Sequence, residues 1–174
     1  MRKLLTAIVA STFAAAPAGA ALKVGVAAPD FTTTGAVGGK EFNLHLADQI
    51  KKGPVVLYFF PKAFTSGCTA EAHAFSESIG DFKKAGAQVI GMSADNLKTL
   101  HDFSAKECRS AFPVATATPN IQRAYDVAWA AHPGITTRTS YVIGKNGKVA
   151  MVHDDLDFSQ HVAKTLAAVK TLKH

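Results

Sequence analysis

Residues 55–60 read Val-Val-Leu-Tyr-Phe-Phe and stop at Pro61. An apolar run this short, rich in β-branched and aromatic side chains, reads as a strand buried on both faces. It therefore belongs at the centre of a sheet packed between helices. The next stretch supplies one such helix. Over residues 69–84, Phe75, Ile79 and Phe82 fall at i, i+4 and i+7 and form a core face. Glu71 in the first turn and Lys83-Lys84 in the last suit the helix dipole, and Gly86 is a stop.

The rest of the chain continues the alternation. Residues 88–92 read as the next strand, and Asp95 or Asn96 can cap a helix running to about Cys108. Residues 114–117 suggest a short strand, 121–125 a short helix after Pro119, and 128–138 a loop carrying His132-Pro133-Gly134. Residues 141–143 and 149–152 flank Lys145-Asn146-Gly147-Lys148, a hairpin signal. Upstream, residues 31–46 hold two extended stretches around Gly35 and Gly38-Gly39, which predict an N-terminal β-hairpin. Phe158, Val162, Leu166 and Val169 form one stripe of a closing helix. Early strands joined by helices should be parallel and the late hairpin antiparallel. The expected fold class is α/β: a mixed central sheet flanked by helices, thioredoxin-like in outline, with an N-terminal β-hairpin. Outline alone does not fix function.

The first twenty residues stand apart from this pattern. Arg2 and Lys3 precede an uncharged apolar run over residues 4–16, and Ala18-Gly19-Ala20 offers a small-x-small cleavage site. This is the pattern of a secretory signal peptide, with an uncleaved anchor as the alternative. The expected organisation is a signal at 1–20 and one domain at 21–174. The expected location is outside the cytoplasm, periplasmic in a Gram-negative source, with no stable membrane association after cleavage. Arg2 and Lys3 carry two of the +6 net charges. The remaining basic residues are scattered among acids, so no nucleic-acid partner is expected.

Two cysteines are present, Cys68 and Cys108. In an oxidising compartment an even pair suggests a disulfide. Cys68 follows the buried strand and a short loop and sits at the mouth of a helix. Unpaired N–H groups and the positive end of the dipole stabilise the reactive thiolate there. A buried, inert apolar Cys is the competing reading.

The wider pattern is more specific. Pro61-x-x-x-Thr65-x-x-Cys68 resembles the active-site motif of the peroxiredoxins, and residues 58–71 are similar to the bacterioferritin-comigratory (PrxQ) branch. The resemblance extends over nearly all of the chain after the leader. It implies that Cys68 is the peroxidatic thiol, that Thr65 orients the peroxide through its hydroxyl, and that Pro61 shields the thiolate. Pro61 also serves as a strand terminator. The family places an Arg beside the thiolate, and Arg138-Thr139-Ser140-Tyr141-Val142-Ile143 resembles that segment, so Arg138 is the candidate. Arg123 is the fallback. Glu71 either holds this Arg or serves only the helix dipole.

Many relatives carry a resolving Cys five residues after the first. His73 occupies that place here, as a surface helix residue. Cys108 is the remaining candidate, near the end of the second helix. The resemblance implies a thiol-dependent peroxidase that reduces hydrogen peroxide and organic hydroperoxides. Its oxidised Cys68 is resolved by Cys108 in an intrachain disulfide, and an external dithiol, a thioredoxin-like protein or small thiol, reduces that disulfide. No metal or organic cofactor is implied, and a monomer suffices. The alternatives are thioredoxin-type disulfide exchange, which wants Cys-x-x-Cys where residue 71 is Glu, and a metal-binding module, which wants a Cys cluster.

Overall fold

The computed structural model describes residues 21–172. The signal expected at 1–20 lies outside the described residues. The chain order is β1 (Thr32–Val37), β2 (Lys40–His45), α1 (Leu46–Lys52), β3 (Val55–Phe59), α2 (Ser66–Lys84), β4 (Gln88–Ser93) and α3 (Leu97–Lys106). It continues through β5 (Val114–Thr116), α4 (Pro119–Ala124), β6 (Thr139–Ile143), β7 (Val149–Asp154), a 3-10 turn (Phe158–Gln160) and α5 (His161–Thr171). One seven-stranded sheet runs β2-β1-β5-β4-β3-β6-β7. β3, β4 and β5 are parallel, as helical crossovers require. The β6–β7 pair and the N-terminal hairpin are antiparallel, and β1 adds antiparallel to β5. The expected mixed α/β sheet is therefore present.

β3 is central and buried throughout. Its alternation builds two cores. Val56 and Tyr58, continued by Phe60, pack with Ala72, Phe75 and Phe82 of α2, Phe103 of α3 and Val169 of α5. Val55, Leu57 and Phe59 pack on the other side with Leu46 of α1, Ile121 of α4, Tyr125 and Tyr141. The stacked Tyr58–Phe75 rings, 4.3 Å between centroids, fix α2 over β3.

Two expectations change in detail. α1 is a helix where none was expected; it is seven residues long and buries only Leu46. α2 begins at Ser66 rather than Thr69, so Cys68 is inside the first turn. The late antiparallel hairpin stands where the Asn146-Gly147 pair placed it. Gly147 N–H donates to the Gly144 carbonyl (2.9 Å), Gly147 takes φ 72° and Asn146 does not, and the strands slip register at Val142/Ile143. That is a longer turn closed by a left-handed glycine.

Candidate active site

β3 delivers the chain to one end of the sheet, and the loop that follows is tied down on three sides. Phe60 N–H donates to the Met92 carbonyl at 2.9 Å, and the Thr136 hydroxyl donates to the Phe60 carbonyl at 2.8 Å. Ala63 N–H donates to Asp95 Oδ2 at 2.7 Å. Asp95 is held in turn by the Ser93 hydroxyl at 2.5 Å. Immediately after the last of these anchors Phe64 takes φ 63°, a left-handed conformation costly for an aromatic residue. Its exposed ring meets the edge of Phe103 at 5.2 Å. Thr65 is the residue before α2; its hydroxyl donates to the Lys62 carbonyl at 2.9 Å rather than capping the helix. Pro61 is half-buried and Thr65 exposed on the loop that leads into α2.

Cys68 is the third residue of α2 and is 2 % exposed. Its thiol is free. Its neighbour in space is Arg138, which comes from just before β6, the strand beside β3. All three guanidinium nitrogens are committed. Nη2 donates to Cys68 Sγ at 3.5 Å, Nη1 to Glu71 Oε2, and Nε to the Leu156 carbonyl at 2.9 Å. The guanidinium thus sets a hydrogen-bond donor and a positive charge on the sulfur at the N-terminal end of α2. Gly67 leaves room for it: a Cβ there would lie 3.3 Å from Nη2. Arg123 lies elsewhere, exposed on α4 and bonded to Asn120.

Glu71 is not a helix-dipole residue. It lies past the first turn of α2, points inward and is wholly buried. Burial pushes its carboxyl above the usual carboxylate range, and Arg138 opposes that shift. Its second oxygen, Oε1, has no hydrogen-bond partner and lies 3.7 Å from His161 Nδ1. His161 and Ser140 are the two groups here that sequence reasoning missed. The hydropathy stripe of the last helix runs through Val162 and Leu166, whereas the fully buried face runs His161, Thr165, Val169.

Cys108 follows α3, fully buried and free. Burial pushes its thiol up. Its carbonyl accepts from the Ser76 hydroxyl of α2 at 2.9 Å, and its neighbours add His73···Glu107 at 2.9 Å and Arg109–Glu77 at 3.2 Å. Cys108 is thus docked at Ser76, eight residues or roughly 12 Å of helix beyond Cys68. A disulfide needs Cα atoms within about 7 Å. Arg109 and Ser110 follow with φ 50° and 57°, two consecutive left-handed residues without glycine. No group of three or more His, Cys, Asp or Glu side chains suited to a metal ion occurs among the described residues.

Residues 24–152 match the AhpC/TSA family. The chain is 35% identical over 127 residues to the chloroplastic peroxiredoxin Q of Sedum lineare, covering 72% of this chain and 68% of that one. It is 35% identical over 159 residues to alkyl hydroperoxide reductase C of Helicobacter pylori, covering 84% and 78%. The crystal structure of peroxidoxin BcpB from Mycobacterium tuberculosis superposes with a TM-score of 0.77 at 27% identity, over 88% of this chain and 99% of that one.

Proposed function

The chain belongs to the AhpC/TSA family, the peroxiredoxins, and is a thiol-dependent peroxidase; we propose that Cys68 is the thiol that attacks the peroxide and Cys108 the one that resolves the product. The observation that carries this reading is the Arg138 guanidinium donating to Cys68 Sγ at 3.5 Å within the first turn of α2. The Cys68 thiolate attacks the terminal oxygen of a hydroperoxide. The O–O bond breaks, the S–O bond forms, and the leaving alkoxide or hydroxide takes a proton and departs as alcohol or water. Cys68 becomes a sulfenic acid. Arg138 stabilises charge on the sulfur and on the departing oxygen. On the loop leading into α2, the Thr65 hydroxyl is read as orienting the peroxide and the Pro61 ring as limiting water.

The Cys108 thiol then condenses with the sulfenic acid, forming the disulfide and releasing water. That step is read as an unwinding of the first turns of α2, with the Cys108 turn leaving Ser76. Local opening of a helix end costs far less than global unfolding. An external dithiol of thioredoxin type restores both thiols by exchange. Both cysteines lie in one chain, so a monomer is sufficient for the cycle.

Residues 1–20 are read as a leader that exports the protein, and the matched family region begins beyond them at residue 24. N-terminal sequencing of the exported protein is expected to begin near Ala21; an intact Met1 in the membrane fraction makes the leader an anchor. The catalytic reading is tested by peroxide consumption with a thioredoxin-type reductant. Cys68→Ser is expected to abolish turnover. Cys108→Ser is expected to react once and accumulate sulfenic acid at Cys68. Unchanged turnover in Cys108→Ser reassigns resolution to an external thiol.

A further inference from the structure

His161 opens α5 fully buried, an uncommon setting for an imidazole, and the chemistry above makes no use of it. Both ring nitrogens are engaged. Nε2 lies 2.9 Å from the Asp155 carbonyl oxygen, which can only accept, so the ring proton sits on Nε2. Nδ1 then accepts the Ser140 hydroxyl at 2.7 Å. The titratable and charged groups around the ring are Glu71 from α2, Arg138 ahead of β6, His153 of β7 at 4.5 Å between ring centroids, and Asp155 and Asp157 of the turn before α5. Burial, reinforced by His153 and Arg138, pushes His161 down to about 4, so the ring is neutral at neutral pH.

We infer that His161 is a positioning residue for Arg138, acting through the turn at 155–157 that grips the guanidinium from behind. His161 holds the Asp155 carbonyl, and the carbonyl of the next residue, Leu156, accepts from Arg138 Nε at 2.9 Å. The Asp155 N–H returns to the Arg138 carbonyl at 3.2 Å, so ring, turn and arginine close a circuit. Burial does not hold this turn in place, because the Leu156 side chain is 55% exposed. The Asp155 and Asp157 carboxylates accept from Asp157 N–H and Ser159 N–H, which shapes the turn but does not tie it to the sheet. On its other side the neutral ring has Nδ1 committed to Ser140 and cannot donate to Glu71 Oε1. The carboxylate is therefore left to Arg138 alone, and the guanidinium is fixed from front and back with Nη2 on the sulfur.

The inference rests on Cys68 as the peroxide-reactive thiol, and its test separates the two. In a Cys108→Ser background, His161→Leu and His161→Gln are compared with the parent by two rates: reaction of the reduced protein with hydrogen peroxide, and alkylation of Cys68 by iodoacetamide. Gln places an N–H donor near the position of ring Nε2; Leu offers none. His161→Leu is expected to slow both reactions about tenfold or more, and Gln to stay within about threefold of the parent, with unchanged circular dichroism. Leu as fast as the parent, or Gln as slow as Leu, overturns the proposal. If His161→Leu does not fold, Ser140→Ala, which frees the ring to turn, takes its place; slower alkylation supports the proposal and an unchanged rate overturns it. A parent that alkylates but leaves peroxide intact defeats the peroxide reading, and the His161 comparison is then decided by alkylation.

Discussion

Replacing Arg138 with Met removes one half of a buried ion pair while keeping much of the side chain's volume. Arg138 is 6% exposed and Glu71 wholly buried, so the carboxylate left behind has no solvent to turn to. Breaking such a pair costs about 3–5 kcal/mol when the remaining charge persists. Glu71 has an escape: burial already pushes its carboxyl up, and without Arg138 it takes a proton. Its folded pKa then lies well above the unfolded value. The folded state holds a proton that the unfolded state gives up, so stability is greatest at low pH and is lost as pH rises from about 4.5 through neutrality. Urea unfolding of Arg138→Met is expected to show a penalty of about 3 kcal/mol or more at pH 7.5 that shrinks at pH 5. The double variant Arg138→Met/Glu71→Met should recover most of that stability, because both charges are gone. Peroxide reduction should not recover: both variants should react at least about 100-fold more slowly than the parent, as for loss of a preorganised donor. Recovery of the peroxide rate in the double variant would refute the role assigned to Arg138. A single-variant penalty below about 0.5 kcal/mol would refute the burial argument.

Thr65→Val keeps the shape at the mouth and removes the hydroxyl, so stopped-flow peroxide reduction should fall roughly tenfold or more while the melting temperature holds; an unchanged rate reduces Thr65 to a packing residue. Gly67→Ala brings a methyl to 3.3 Å from Arg138 Nη2, and the guanidinium has no slack because Leu156 and Glu71 hold it. The rate should fall roughly tenfold; a parental rate means the arginine moves freely. His161 titrates at about 4 folded against 6.5 unfolded, so the unfolded chain takes the proton first and stability is lost as pH falls from about 6.5 to about 4. The loss is about 3 kcal/mol, and it should be absent from His161→Gln; equal acid sensitivity of the two proteins in urea titrations contradicts it.

The central strand was legible because residues 55–60 are apolar without a break, a pattern only a doubly covered strand can bury. Cys68 was legible from the motif around it and from its place at a helix start. Arg138 was legible only through the resemblance of its segment, because nothing near residue 138 encodes that β6 lies beside β3. α1 escaped notice because two turns with one buried leucine leave no periodicity to read. The inward turn of Glu71 escaped because an acid near a helix start has a sufficient local explanation in the dipole. His161 escaped for the opposite reason: hydropathy marks a lone histidine as surface, and only the tertiary contacts with Asp155 and Ser140 make its burial tolerable.

The central claim is that Cys68 is oxidised first and Cys108 captures the product. One equivalent of hydrogen peroxide added to the reduced protein, quenched over a time course and mapped by peptide mass spectrometry, reads both events in order. Oxygen is expected on Cys68 at the earliest times, then a Cys68–Cys108 disulfide within the same chain, with Cys108 never oxidised alone. Oxidation that begins at Cys108, or Cys68 left reduced while peroxide disappears, would contradict it.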